Sequence, residues 1–322
     1  MKKQFLTYCL LILSVVAFSQ KRIDHTRILV EDQGNGVLFS WKKTTKGHKL
    51  TPLNGEYIIL YDNYSITGKY RKGLSQGTLR RFGTDGTLLQ EAEYDNRGIP
   101  HGEKRCFYPD GKLECRIPFK QGRIDGLYEE WYENGVQKTR AEMRDGLHDG
   151  ITMSWDESGN ILSKWNYAKN LRNGVCLTWI YQSPDTLLTE EYYHNDQLVD
   201  TTRCYRLESN GQQTLRSFTI YDINGKVLRF ESFDGDTHCC LEYDELGQCQ
   251  LWTQYTGGKL SGRMEYQDGQ LHGKFVMYYP GTTKLWKTAQ YEHGKLLSSQ
   301  EFASDGTPIT SPEIIETKEV QE

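Results

Sequence analysis

The chain has 322 residues, with 39 Lys and Arg against 43 Asp and Glu for a formal charge of −4, and it carries 31 glycines and 21 tyrosines but only 8 prolines. An acidic chain without a basic cluster argues against nucleic acid and anionic lipid as ligands, because both need concentrated Lys and Arg. Length alone would allow two or three domains, but a repeat array escapes that rule.

The chain opens MKKQFLTYCLLILSVVAFSQ. Two lysines precede an apolar run from Leu10 to Phe18 and a small-residue site, the pattern of a secretory signal peptide over residues 1–19. The run is short of the ~20 residues a spanning helix needs. Cys9 precedes the apolar run and follows the bulky Tyr8, so it reads as part of the leader rather than a lipidation site. Loss of Lys2 and Lys3 with the leader takes the charge from −4 to −6. The mature chain, with no further apolar span, is expected outside the cytoplasm: in a periplasm, at a cell surface or secreted. Residues 20–52 read as a lead-in or cap.

From residue 53 the chain is written in units of about two dozen residues. Gly102, Gly126, Gly150 and Gly174 recur every 24 residues, as do Gly111, Gly135 and Gly159. Such a period marks a solenoid or hairpin array. A third series, Gly98, Gly122 and Gly146, continues with Asn170, a residue that accepts left-handed backbone more readily than most. Between glycines the residues alternate, as in Ile151, Met153 and Trp155, which predicts strands with one buried face. The turns PDG (109–111), ENG (133–135) and ESG (157–159) fit three-residue hairpin loops closed by a left-handed glycine. That loop sets Phe107 opposite Leu113 and puts Leu113, Cys115, Ile117 and Phe119 on the shared apolar face. A two-residue turn would slip the register, set Cys106 opposite Cys115 and split that face, so the longer loop is expected.

Regular units span 53–182. Residues 183–258 are irregular: QSPDT (182–186) lengthens a hairpin, Asp200 fills a glycine slot, and YDINGKVLRFESF with EYDELGQCQLWTQY changes the style of the unit. The first style returns over 259–306, and 307–322 reads as a disordered tail. The expected fold is all-β, an elongated antiparallel meander of β-hairpin repeats forming a single-layer twisted sheet.

His148 and Asp149, bracketed by glycines, resemble an acid-base dyad. The equivalent slots hold Pro100 and His101, Ile124 and Asp125, or Arg172 and Asn173, so the pair reads as turn residues. Neighbouring carboxylates such as Glu129 and Glu130, or Glu190 and Glu191, point to opposite faces of a strand and cannot converge on one bond. No nucleophile motif or phosphate loop is present, so no enzyme, cofactor or metal is expected. Phe82, Phe107, Trp131, Trp155, Trp179 and Tyr205 form an aromatic ladder at one phase, and Tyr94, Phe119, Met143 and Tyr167 a second. These are either the core or an open groove for a glycan or peptide. The opposite face offers Tyr128, Glu130 and Tyr132, a mixture suited to protein recognition or to plain solvation. Of the cysteines beyond the leader, Cys240, or else Cys239, with Cys249 is the expected disulfide if one forms, while THCCLEYDELGQC (237–249) lacks the spacing of a zinc knuckle.

The recurring word, seen in FKQGRIDGLYEEWYENG (119–135), MRDGLHDGITMSWDESG (143–159) and YEHG (291–294), resembles the MORN repeat, and more closely the variant found in YwqK-type bacterial antitoxin proteins. The resemblance covers roughly residues 53–300, although the YxGxW core of the standard unit is absent. It implies a meander of hairpins used as a binding scaffold, in some relatives to neutralise a toxin; an exported chain cannot guard a cytoplasmic target. The YDxxG segments also look like the YD repeats of secreted toxin shells, over about two units. The expected function is therefore a non-enzymatic exported scaffold for a partner protein, antitoxin-like or structural. The alternatives are an envelope carbohydrate-binding module and a YD-repeat-like fragment of a secreted toxin system. Residues 183–258 are the expected source of specificity, because insertions in repeat arrays reach the binding surface.

Overall fold

The structure, a computed structural model, describes residues 20–30, 37–182 and 185–309. The expected leader (1–19), Ser183 and Pro184 of the lengthened hairpin, and residues 310–322 of the expected tail lie outside the described residues. The chain forms two compact units, Met1–Ile161 and Leu162–Glu322. Apart from one short 3-10 turn, His25–Arg27, the described elements are strands.

In the first unit, strands from Gly55–Leu60 through Leu147–Trp155 pair antiparallel with their neighbours in chain order. In the second, the same meander runs from Ile161–Ala168 to Lys295–Glu301. The sheet is open, as the alternation predicts, with one departure from a pure antiparallel meander: Lys21–Asp24 pairs parallel with Gly55–Leu60. A separate three-stranded sheet (Ile28–Val30, Leu38–Thr44, Gly47–Pro52) packs nearby, around a small cluster of Leu53, Ile59 and Tyr70.

The loop at Pro109 forms as the sequence predicts. Gly111 N donates to the Tyr108 carbonyl (2.9 Å), Tyr108 N donates to that of Lys112 (2.9 Å), and Gly111 is left-handed at φ +85. Phe107 faces Leu113. One residue later the strand bulges at Glu114, and Cys115 faces Cys106. The two registers treated as alternatives therefore coexist in one hairpin. The bulge recurs at Leu89 and Lys138 in the first unit and at Arg216, Leu228, Gln250 and Trp286 in the second. Because a bulge rotates the rest of its strand to the other side, Leu113 stays with Phe107 while Cys115, Ile117 and Phe119 join Cys106. The expectation of one shared apolar face is corrected accordingly.

At the other edge of the sheet a large side chain of one strand faces a left-handed glycine of the preceding strand. Phe119 pairs with Gly102, Met143 with Gly126 and Tyr193 with Gly174. Gly150 shows why glycine is needed: its φ is +128, and a Cβ there would lie 2.8 Å from Glu142 Cβ. Asn170 adopts φ +70, matching Gly122 at +82 and Gly146 at +85.

Both edges are stitched from one unit of the repeat to the next. The hydroxyls of Tyr108, Tyr132 and Tyr279 donate to the carbonyls of Trp131, Trp155 and Phe302, each 23 residues on, at 2.7–2.8 Å. On the opposite edge Gly122 N donates to the Pro100 carbonyl (2.8 Å) and Gly146 N to that of Ile124 (2.7 Å).

The change of style in the second unit is an exchange of edges. Long loops at residues 207–213 and 221–227 follow one another, so the second falls on the edge that carries the short turns at 121–122 and 195–196, as the 95–99 loop does in the first unit. Two short turns in succession, at 256–259 and 267–270, restore the original arrangement.

Candidate binding surfaces

Tyr128 and Glu130 lie on one face of Gly126–Trp131. Glu130 faces Cys115 on one side and Thr139 on the other, and Tyr128 faces Ala141. Lys138 Nζ sits 2.8 Å from Glu130 Oε1, and the Tyr128 hydroxyl donates to Glu130 Oε2 at 3.4 Å. Burial, then the charge of Glu130, pushes the Tyr128 phenol up to about 12. Lys138 Nζ also lies 5.7 Å from the centre of the Tyr132 ring, whose hydroxyl donates to the Trp155 carbonyl. Since the bulge brings Ala141 and Met143 to the Tyr128 side, the second ladder and the expected recognition residues share a face rather than opposing one another.

The other face carries a row of charge that sequence reasoning missed. Arg80, Glu91, Arg105, Arg116, Glu129 and Arg140 face one another in unbroken succession across six strands. Arg80 Nε lies 2.7 Å from Glu91, and Arg116 pairs closely with Glu129, which is 8% exposed. The signal was present in the residue types, but without the bulges the alignment falls one position out. The adjacent carboxylates part as expected: Glu129 goes to Arg116 and Glu130 to Lys138, while Glu190 pairs with Arg203 (2.9 Å) and Glu191 accepts from Tyr193 (3.3 Å).

The ladder residues are half-buried. In the first unit Phe82, Phe107 and Trp131 face Leu88, Leu113 and Gln137, and Trp155 takes the Tyr132 hydroxyl on its carbonyl. In the second unit Trp179 and Tyr205 flank Leu188. His148 and Asp149 lie on the strand Leu147–Trp155 rather than in the turn itself. His148 Nδ1 is 2.9 Å from Thr152 Oγ1, and Asp149 is 3.1 Å from Arg144.

The expected disulfide is not formed. Cys240 faces Thr253 and Cys249 faces Tyr243, three residues along the strand from Cys240. That separation is roughly 10 Å along a strand, beyond disulfide reach. Among the described residues no three His, Cys, Asp or Glu side chains converge as a metal site.

The irregular segment of the second unit builds a groove of about 660 Å³ lined by Tyr192, Tyr193, Val199, Tyr221 and Ile223. Beside it Asn195 and Asp196 form the same left-handed two-residue turn as Lys169 and Asn170, and Asp200, which lines the groove, is left-handed at φ +64. Tyr221 N donates to the Asp200 carbonyl (2.7 Å), which seats the displaced 221–227 loop beside the preceding turn. Arg172 stacks 3.9 Å over the Tyr193 ring and bonds Asp196 at 3.1 Å, adding a fixed cation near the rim. Ile223 is 84% exposed.

The model of the MORN repeat variant matches residues 100–121 and 149–169, two strand–loop–strand stretches, each with a left-handed glycine in its loop, Gly111 and Gly159. The chain carries MORN-variant repeats. No curated protein matches the chain in sequence. Among solved structures it is similar to a TcdB2-TccC3-TEV chain, with 13% identity over 84% of this chain and 18% of that one and a TM-score of 0.22. A TcdB2-TccC3-Cdc42 chain matches at 10% identity over 86% and 18%, with a TM-score of 0.15. The chain thus spans about a fifth of the length of those neighbours. No helix among the described residues of this MORN-repeat chain is long and apolar enough to cross a membrane.

Proposed function

We propose that the chain is an exported, non-catalytic MORN-variant scaffold that binds a partner protein, in the manner of YwqK-type antitoxin-like proteins or as a structural adaptor. The observation that carries this reading is the second unit's groove: tyrosines and an exposed isoleucine at one edge, with the Arg172 cation beside them. Aromatic residues with arginine are the composition of protein-recognition patches. The regular repeats of the first unit act as a stiff frame, because the turns from Pro100 to Trp155 are bonded from one repeat to the next. The basic n-region and apolar run of residues 1–19 support export.

The test is capture from envelope and secreted fractions of the producing cell by the chain from Gln20 onward. One stoichiometric protein, lost on Ile223→Asp or Tyr192→Ala in folded variants, supports the reading. Retention on cell-wall polysaccharide without a protein partner overturns it.

A further inference from the structure

We infer that Cys106 and Cys115 form a reversible disulfide across their hairpin. All seven described cysteines are free thiols, but these two alone among the described residues face each other in register. Cys204 faces Thr189 and Ser217, Cys239 faces Ser232 and Gln254, Cys240 faces Glu231 and Thr253, Cys176 faces Glu191 and Cys249 faces Tyr243.

Facing residues of an antiparallel pair have Cα atoms about 4.5–5.5 Å apart. Disulfides span about 4.4–6.8 Å, so the bond closes without moving the strands. The bulge at Glu114 is what turns Cys115 to the Cys106 side. Facing each other, the two side chains stand on one side of the hairpin as neighbours across the strands. Hydrogen bonding from Cys115, aided by the Lys104 ammonium, lowers the Cys106 thiol against the opposing effect of burial, and the same interaction with burial pushes the Cys115 thiol up. Cys106 is half-exposed and Cys115 is 7% exposed, which assigns them as the attacking and the resolving cysteine.

With a small-molecule disulfide such as glutathione disulfide as oxidant, the Cys106 thiolate attacks one sulfur and expels a glutathione thiolate, leaving a mixed disulfide. Cys115 then attacks Cys106 Sγ, its proton passing to the second glutathione as that leaves. Two protein thiols are oxidised by two electrons, and one glutathione disulfide is reduced to two glutathione thiols.

The test equilibrates the folded full chain with glutathione disulfide, blocks the remaining thiols and digests with trypsin without reduction. Cleavage after Arg105, Lys112 and Arg116 separates residues 106–112 from 113–116, so the disulfide alone joins the two peptides. The expected result is that linked pair, split by reductant, with the other thiols blocked. Cys115→Ser is expected to stop at a glutathione adduct on Cys106. Both peptides blocked and unlinked in the wild-type chain, or either linked to another cysteine, overturns the inference. The wild-type map decides the matter even if the variant misfolds.

Discussion

Gly150→Ala tests whether backbone geometry explains the 24-residue glycine series. Gly150 sits at φ +128, where an L side chain is strained by about 1–3 kcal/mol. The new methyl would also lie 2.8 Å from Glu142 Cβ and 2.9 Å from its Cδ, and the Glu142 carboxylate, which accepts from Ile151 N at 3.3 Å, would have to give up that place. Overpacking of this kind adds about 1–3 kcal/mol, so the total is about 2–6 kcal/mol. Gly146→Ala is the control. Its φ of +85 is left-handed, but nothing lies within 4 Å of a Cβ there, and about 1–2 kcal/mol is expected. Because a repeat array opens in segments, amide hydrogen exchange over Leu147–Trp155 is the assay, supported by urea unfolding. Equal costs for the two substitutions would refute the steric argument and leave the periodicity without this explanation.

Tyr132→Phe and Tyr279→Phe each remove one hydroxyl bond between repeats and should cost about 1 kcal/mol in urea midpoint analysis. Tyr128→Phe, whose contact is a long 3.4 Å, should cost clearly less. Arg116→Ala strips the partner from the buried Glu129; with Arg116 itself 42% exposed, a loss of about 1–2 kcal/mol is expected, against less than 1 for Arg80→Ala. The Ile99 amide holds the Asp95 carboxyl below its ordinary 3.8, and the Lys226 amide does the same for Asp222. A depressed carboxyl contributes stability above the unfolded value that disappears as pH falls through the folded one. Unfolding midpoints should therefore drop as pH is taken from 5 toward 2, and the drop should shrink in Asp222→Asn.

Much of the fold was legible because hairpin chemistry is local. The 109–111 loop, the strand alternation and the left-handed slot that passes from Gly146 to Asn170 all follow from residue type and spacing. The bulges were not legible, since nothing about Glu114 or Lys138 as side chains marks them as unpaired. Every error in facing descends from that. Tyr128 and Glu130 share a side with Met143, Leu113 parts from Cys115, and the row from Arg80 to Arg140 went unseen. The bond from the Tyr132 hydroxyl to the Trp155 carbonyl was not legible either, because only the spacing between repeats brings a tyrosine to a carbonyl 23 residues away.

The groove follows from the same economy of parts. With a single sheet layer there is no second layer against which to build a pocket; the buried cluster of Leu53, Ile59 and Tyr70 stands by the small N-terminal sheet. This concavity comes from an edge. The long loop at 221–227 adds Tyr221 and Ile223 to the groove lining, and the Tyr221 amide bonded to the Asp200 carbonyl holds that loop beside the preceding turn. The long loop leaves the strand pairing in place, with the bulges at Arg216 and Leu228, through Thr201–Leu207, Gln213–Tyr221 and Val227–Asp234. The irregular units can therefore diverge in their loops while the ladder hydrogen bonds and the bulge geometry stay intact.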